Sequence, residues 1–197
     1  MAGRPISLSD FPEGVRLATP SDGAALARIY GPIIADTAIS FETDVPDASE
    51  MTRRVEETTQ THPWLVMEDA SGVIGYAYGC PHRKRVAYQW SCEVSAYVDA
   101  RARGTGVGRM LYQTLFSLLK AQGYVRAFAG IVLPNAASVG LHEACGFEPV
   151  GIYQGVGFKF GRWHDVGWWG FALNDLSEDP SSPIPWSEIS AQYVPAT

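Results

Sequence analysis

The chain has 197 residues, of which 46% are hydrophobic and 12% aromatic; this composition indicates a sizeable core and excludes disorder of the whole chain. Its formal net charge of −6 argues against a general nucleic-acid-binding protein. Three irregularly spaced cysteines, Cys80, Cys92 and Cys145, favour a reducing, cytoplasmic compartment over a disulfide framework. No apolar run reaches about 18 residues and no signal core is visible, so we expect a soluble protein without membrane contact.

The first half of the chain predicts a strand, two helices and then a sheet. Thr19, Pro20 and Asp22 are typical of a helix start, and Asp47 is expected to begin a second helix. Apolar runs and period-two alternation predict strands over residues 14–19, 64–68, 73–80 and 87–99.

The second half of the chain begins with a helix, because Val107, Leu111 and Leu115 recur at helical spacing up to Gly123. Strands are predicted over 125–133, 147–153 and 166–173, with a short helix over 136–145. This order predicts an α+β fold with a mixed, mostly antiparallel central sheet flanked by helices, in one domain over residues 1–173. Residues 174–197 carry four prolines and predict an arm over the surface or over a partner subunit, or else disorder.

A glycine-rich loop separates the long strand from the helix that follows it. Amide groups at a helix N-terminus can hold a phosphate, and glycines let a ligand approach the main chain closely. A P-loop is excluded because no Lys-Ser or Lys-Thr follows the glycines, and Arg109 stands where a dinucleotide fingerprint needs its third glycine. The alternative is that this glycine-rich loop only connects the strand to the helix and binds no ligand. Six cationic against two acidic residues over 83–109 favour an anionic ligand.

Two motifs carry a family resemblance. Arg103-Gly-Thr-Gly-Val-Gly108 resembles the R/Q-x-x-G-x-G/A loop of the GNAT superfamily of acetyl-CoA-dependent acyltransferases, and Asn135 to Phe147 is similar to its N-x-x-A/S-x-x-L-Y-x-x-x-G-F segment. The resemblance implies the GNAT fold and acetyl-CoA as cosubstrate. No spacing of His, Cys and Asp residues in the sequence is typical of a metal site, so no metal is expected. It places the cofactor on Ala96, Tyr97, Val98, Arg103, Gly104, Thr105, Gly106, Val107, Gly108, Arg109, Asn135 and Ser138.

Further segments resemble the phosphinothricin N-acetyltransferase branch, which includes enzymes acting on methionine sulfone and methionine sulfoximine. They are Ser40-Phe-Glu-Thr43, Gly75-Tyr-Ala-Tyr78 and residues 87–98 and 157–166. The branch implies a homodimer that acetylates the α-amine of a small amino acid with a tetrahedral, polar or anionic side-chain group. Two alternatives are a protein N-terminal acetyltransferase of the ribosomal-protein type and a non-catalytic CoA-sensing module.

Glu93 is the candidate general base. It interrupts an otherwise apolar strand, where a carboxylate is costly unless it is hydrated or paired, and the substrate ammonium must lose a proton before the amine attacks a thioester. The branch also implies that Arg83 and Arg85 bind the acidic groups of the substrate, for which the guanidinium fork is suited. The alternative for both is a solvated loop charge. The implied substrate-binding set is Phe41, Thr43, Arg83, Arg85, Tyr88 and Glu93.

Three further expectations concern the chemistry. His142 stands where the family often has a tyrosine acid, so it is a candidate proton donor to the leaving thiolate or a candidate substrate contact. Cys92 is expected to face away from Glu93 and to be no nucleophile. A β-bulge near Tyr97 would free an N–H group to polarise the thioester carbonyl.

Overall fold

The computed structural model describes residues 11–193. One seven-stranded sheet has the order β1-β2-β3-β4-β5-β7-β6, and among these pairs only β4 and β5 run parallel. This confirms the α+β prediction. The elements are β1 Val15–Leu17, α1 Gly23–Asp36, α2 Ala48–Thr58, β2 Trp64–Asp69, β3 Gly72–Pro81, β4 Ser91–Val98, α3 Val107–Gln122, β5 Arg126–Leu133, α4 Ala136–Ala144, β6 Glu148–Lys159, β7 Arg162–Ala172 and α5 Trp186–Ile189.

Local capping signals set the helix ends. The Asp47 carboxylate accepts a hydrogen bond from the Glu50 amide at 2.8 Å, which confirms the predicted start of α2. At α1 the predicted signals form a single 3-10 turn over Pro20–Asp22, and the α-helix itself begins one residue later. Helix α3 ends at Gly123, whose φ of +95° is the left-handed C-cap conformation that glycine adopts without strain.

Two strand boundaries differ from the sequence prediction. The long strand predicted from residue 87 begins at Ser91, because Val86–Tyr88 turns into a 3-10 helix. The β6–β7 hairpin is longer than predicted, since β6 continues to Lys159 and β7 begins at Arg162. Glycines at 151, 155 and 157 lie within β6 and interrupt its side-chain alternation, so the second half of the strand was not predicted.

The sheet is covered on both faces. Leu65 and Ala77 belong to a buried cluster with Leu111 and Leu115 of α3. The adjacent residues Val66 and Tyr76 belong to a second buried cluster, with Leu26 of α1 and Met51 of α2. Because successive residues of a strand point to opposite faces, α3 lies on one side of the sheet and α1 and α2 on the other.

The described part of the proline-rich arm, residues 174–193, lies over the surface of this chain. Trp186 and Tyr193 are buried with the α3 cluster, their rings stacked at 5.3 Å. The side-chain amide of Gln122 donates to the Ile184 carbonyl at 2.7 Å, and the Trp90 indole donates to the Ser181 carbonyl at 2.8 Å. The arm therefore completes the core on the α3 side.

Candidate active site

The site forms where two parallel strands part. Strands β4 and β5 pair at Ser91, Cys92 and Glu93, and the pairing ends there. A narrow cavity of about 50 Å³ opens beyond that point, between Val94–Tyr97 and 129–132. The predicted bulge near Tyr97 is wrong, because β4 pairs with β3 in unbroken register from Cys92 to Val98. Instead, the parting of β4 from β5 releases the main-chain groups of β4 that face β5.

A larger cavity, of about 510 Å³, continues from the narrow one; the two share Ile39, Ala96, Tyr97, Asn135 and Ser138. It runs along the start of α3 between β4 and α4. The predicted cofactor residues that line it are Ala96, Tyr97, Val98, Arg103, Gly104, Gly106, Val107, Gly108, Arg109, Asn135 and Ser138. The remaining one, Thr105, lies in the same loop, where its hydroxyl donates to the Ala102 carbonyl at 2.7 Å; its contact with the cofactor stays a prediction.

The glycine loop leaves its main chain uncovered. Gly104 and Gly106 have φ values of +76° and +91°, and a Cβ added at either would meet no atom within 4 Å. Helix α3 begins directly after Gly106, so its first amides point out of the loop toward this open space. Arg103 and Arg109 are exposed beside it. A loop of this shape and charge fits a pyrophosphate group.

An ion pair between distant residues braces the base of this loop. The Asp99 carboxylate accepts the Arg101 amide at 3.1 Å and pairs with the Arg28 guanidinium of α1. Arg28 also donates to the Val73 carbonyl at 2.6 Å. Sequence reasoning missed this pair, because no local pattern connects two residues that lie 71 positions apart.

His142 lies on α4 with both ring nitrogens engaged. Nδ1 lies 2.7 Å from the Ser138 carbonyl, which can only accept, so Nδ1 carries the proton. Nε2, at 2.9 Å, therefore accepts from the Tyr112 hydroxyl. Burial lowers the pKa of His142, which keeps the ring neutral. These hydrogen bonds do not favour the acid role predicted for His142. Tyr112 borders the same narrow cavity and was missed by the sequence analysis.

Glu93 lies at the point where the strands part, with 28% of its side chain exposed. Its Oε1 is 3.0 Å from Nδ1 of His82 and 3.2 Å from the guanidinium of Arg83. The His82 ring stacks on Phe128, the β5 residue in register with Glu93, with 4.7 Å between ring centroids. His82 lies next to the predicted Arg83, but nothing in the sequence indicates where its ring points.

The other predicted substrate residues divide into two groups. Tyr88 lies edge-on to His82 at 5.9 Å, and its amide donates to the Arg85 carbonyl, so this turn is close to Glu93. Phe41 packs instead on Gly157, where an added Cβ would lie 2.2 Å from its ring. Phe41 and Thr43 border a separate open cavity of about 420 Å³. The structure therefore does not bring these two to Glu93.

The remaining chemical expectations concern Cys92 and metals. Cys92 is fully buried in the α3 cluster, on the opposite face of β4 from Glu93, and burial raises the pKa of its thiol. The expected orientation is confirmed.

Within residues 11–193 no group of three or more His, Cys, Asp or Glu side chains is placed to hold a metal ion. No helix in that range is long and apolar enough to cross a membrane.

Comparison with known proteins agrees with this geometry. Residues 15–168 match the family model described as an acetyltransferase (GNAT) domain. The chain belongs to the GNAT acetyltransferase family. The glycine loop before α3 corresponds to the first of the two sequence motifs, and α4, which begins after Asn135, corresponds to the second.

Three relatives illustrate the similarity. A phosphinothricin N-acetyltransferase of Streptomyces viridochromogenes is 39% identical over 158 residues, 80% of this chain and 86% of its own. An L-methionine sulfoximine/L-methionine sulfone acetyltransferase of Pseudomonas aeruginosa is 36% identical over 173 residues, 87% of this chain and 98% of its own. The crystal structure of a phosphinothricin acetyltransferase from Sinorhizobium meliloti in complex with acetyl-CoA has a TM-score of 0.79 at 31% identity, covering 87% of this chain and 97% of that one.

Proposed function

We propose that this GNAT acetyltransferase moves the acetyl group of acetyl-CoA onto the α-amine of a small amino acid whose side chain ends in a tetrahedral, polar or anionic group. Phosphinothricin, methionine sulfoximine and methionine sulfone are the model substrates. One observation carries the proposal: an arginine and the candidate base lie 3.2 Å apart, where β4 and β5 part. The names of the relatives support the same substrate class.

The glycine loop and the cavity of about 510 Å³ would hold the cofactor. The amides at Gly104, Gly106 and the start of α3 would bind the pyrophosphate, with Arg103 and Arg109 supplying positive charge. Asn135 already caps α4 by accepting the Ser138 amide at 3.1 Å, and its amide nitrogen would face the pantetheine arm. When bound, acetyl-CoA supplies an electrophilic thioester carbonyl, which the released main-chain N–H groups of β4 would polarise.

Glu93 would prepare the nucleophile. An α-ammonium is mostly protonated near neutral pH, so a proton must leave the nitrogen before its lone pair can attack. Glu93 is the last residue of β4 that pairs with β5, and its carboxylate would take that proton directly or through a water molecule. Its side chain is 28% exposed, so water can reach it.

Arg83 and Arg85 would hold the other end of the substrate. Arg83 bonds Glu93 in the substrate-free chain, and a phosphinate or carboxylate would offer its guanidinium a second anionic partner. The amine would then replace the guanidinium at the carboxylate. Arg85 begins the 3-10 turn of the same loop and is exposed. Phe41 and Thr43 remain predicted pocket walls, and only a movement of their loop would bring them to this end of the site.

A homodimer is part of the proposal. Strand β6 is an edge of the sheet. The β6–β7 hairpin exposes large apolar side chains, and their contact with water is unfavourable. A second copy of the chain would bury them. The exposed residues are Val150, Ile152, Tyr153, Val156, Phe158, Phe160 and Trp163. Light scattering should report twice the chain mass for the wild type. For the double variant Ile152→Asp/Trp163→Asp it should report the mass of a single chain.

We place the protein in the cytoplasm, as its cysteines predict. All three are free, and Cys80 and Cys92 carry thiols whose pKa is raised by burial. Free cysteines without disulfides are typical of proteins in a reducing compartment.

Steady-state rates on a small panel test the proposed activity. The panel contains phosphinothricin, methionine sulfoximine, methionine sulfone, methionine, leucine and a ribosomal-protein N-terminal peptide. We expect the first three to have a kcat/KM well above that of the others. Preference for the peptide would transfer the proposal to the N-terminal acetyltransferase class, and acetyl-CoA binding without turnover of any amine would make the chain a sensing module.

A further inference from the structure

His82 is held firmly against Glu93. Its Nδ1 lies 3.0 Å from Oε1 of Glu93, and its ring is stacked on Phe128 and edge-on to both Tyr88 and Trp168. Only 14% of the side chain is exposed. Three aromatic neighbours from three different elements therefore fix the ring, and one orientation is imposed on the imidazole.

The contact assigns the proton on the ring. A carboxylate can only accept a hydrogen bond, so Nδ1 donates to Glu93 and the neutral ring keeps its lone pair on Nε2. Within residues 11–193 no protein group bonds Nε2, and this atom is not among the buried polar atoms left without a partner. Nε2 therefore keeps some contact with solvent.

The arrangement matches a base supported by a carboxylate. In such a pair the carboxylate holds the Nδ1 proton and its negative charge stabilises the imidazolium that forms when Nε2 gains a second proton. Imidazole is also the side chain that exchanges protons most readily near neutral pH, whereas an ordinary glutamate is already deprotonated there and is a weak base.

We propose that His82 and Glu93 act as a dyad in which Nε2 of His82 takes the proton from the substrate ammonium, while Glu93 orients the ring and balances its charge. This inference rests on the proposed N-acetyltransferase function and deepens it: the proton that Glu93 would take directly or through water passes instead to Nε2 of His82, with Glu93 as its partner. The N–H bond of the ammonium breaks, its electron pair stays on the substrate nitrogen, and the proton forms a new bond to Nε2. As the nitrogen lone pair forms the C–N bond to the acetyl carbon and the C–S bond breaks with its electron pair on sulfur, a second N–H proton would pass through solvent to the CoA thiolate. The imidazolium would return the first proton to solvent.

The other titratable and charged groups around His82 are few. Cys80 on β3 is kept protonated, because burial and then the Glu93 charge raise the pKa of its thiol to about 12. Tyr88 faces the ring from the 3-10 turn, and Arg83 approaches Glu93 from the loop. Arg83 is the only cation in contact with this carboxylate among the described residues, and it opposes an imidazolium until an anionic substrate draws it away.

Three substitutions at His82 separate its possible roles. In His82→Asn the side-chain amide lies near the place of Nδ1 and keeps the bond to Glu93 but supplies no base. His82→Phe keeps the ring stacking and loses both nitrogens. His82→Ala opens the position to imidazole added in solution. Lys84→Asn, an exposed change in the same loop, is the matched control.

We expect kcat to fall about 10²–10⁴-fold in His82→Asn and His82→Phe, with unchanged KM for acetyl-CoA and unchanged melting temperature. Imidazole should restore turnover of His82→Ala in a saturable way, and more strongly as its neutral fraction rises with pH. The double variant His82→Asn/Glu93→Gln should be no slower than the slower single variant, since both act on one proton. Lys84→Asn should retain the wild-type kcat.

Two results would overturn the dyad. A wild-type kcat in His82→Asn would reduce His82 to a residue that only positions Glu93, and absence of imidazole rescue in a folded His82→Ala would exclude proton acceptance by Nε2. If His82→Asn is fully active while Glu93→Gln is slow, the proposed function stands and only this inference fails. If the wild-type protein acetylates no amino acid of the panel, the proposed N-acetyltransferase function is wrong, and the His82–Glu93 dyad that rests on it is wrong as well.

Discussion

Arg83 donates a hydrogen bond to the carboxylate of Glu93 over 3.2 Å, at the same oxygen that faces His82. Arg83, which is proposed to bind the anionic group of the substrate, therefore contacts Glu93, which is proposed to help deprotonate the substrate amine. A substrate must separate them, which links recognition of its side chain to the freeing of the carboxylate.

Arg83→Ala and Arg85→Ala should impair phosphinothricin more than methionine sulfone. The phosphinate of phosphinothricin carries a full negative charge, whereas the sulfone is neutral. Removing an arginine therefore removes a charge-assisted hydrogen bond of about 1.5–3 kcal/mol from phosphinothricin but not from methionine sulfone. We expect roughly 10- to 100-fold lower kcat/KM for phosphinothricin and a smaller loss for the sulfone. Equal losses would mean that the arginines bind the shared α-carboxylate or CoA, and no loss would make them solvated loop charges.

Glu93→Gln keeps the shape of the side chain and removes its charge. The proton acceptor is thereby lost or left unsupported, so kcat should fall about 10²–10⁴-fold. Calorimetry should report an unchanged affinity for acetyl-CoA, because Glu93 does not line the cofactor cavity. Turnover at the wild-type rate between about pH 6 and pH 9 would assign the base to another group.

Gly106→Val should weaken acetyl-CoA binding strongly. The φ of +91° strains any residue with a Cβ, and the new side chain would cover amides that are open in the wild type. Gly72→Val is the matched control: its φ is +98°, it has the same free space, and it lies in the β2–β3 turn. Calorimetry should find wild-type affinity in the control. Wild-type affinity in both variants would remove the pyrophosphate from this loop.

The protein should lose stability as the solution is acidified through the range of His62. This residue is 2% exposed, and burial lowers its pKa from 6.5 to about 4, while its Nε2 has no partner among the described residues. The unfolded chain therefore binds the proton first, and stability that is complete above pH 6.5 declines toward pH 4. Protonation linked to His62 lowers the free energy of unfolding by about 3 kcal/mol once the pH is below both pKa values.

His62→Phe isolates this contribution. The ring would keep its stacking on Tyr124, for which the centroids are now 5.0 Å apart, and would carry no titratable group. Denaturant unfolding at pH 7 and pH 4.5 should give a smaller difference for the variant than for the wild type. Since burial also lowers the pKa of His142, some loss should remain in the variant. Identical pH dependence in both proteins would show that His62 is protonated at no cost in the folded state.

The local patterns of this sequence determined its elements and its cofactor loop. Capping at Asp47, the stripe along α3 and the glycines before it depend on residues a few positions apart, so a linear sequence displays them fully. The family followed from two such patterns. The second half of strand β6 was an exception, because its glycines mask the alternation of side chains.

Only the tertiary structure decided which polar groups meet. The pairing of β4 with β5 ends at Glu93, the Arg28–Asp99 pair links α1 to the loop, and His82 turns toward Glu93. The same holds for the hydrogen bond between Nε2 of His142 and the Tyr112 hydroxyl. A side chain's direction is set by packing against elements distant in the chain, so hydrogen-bond partners and protonation become visible only when the sheet and its helices are assembled.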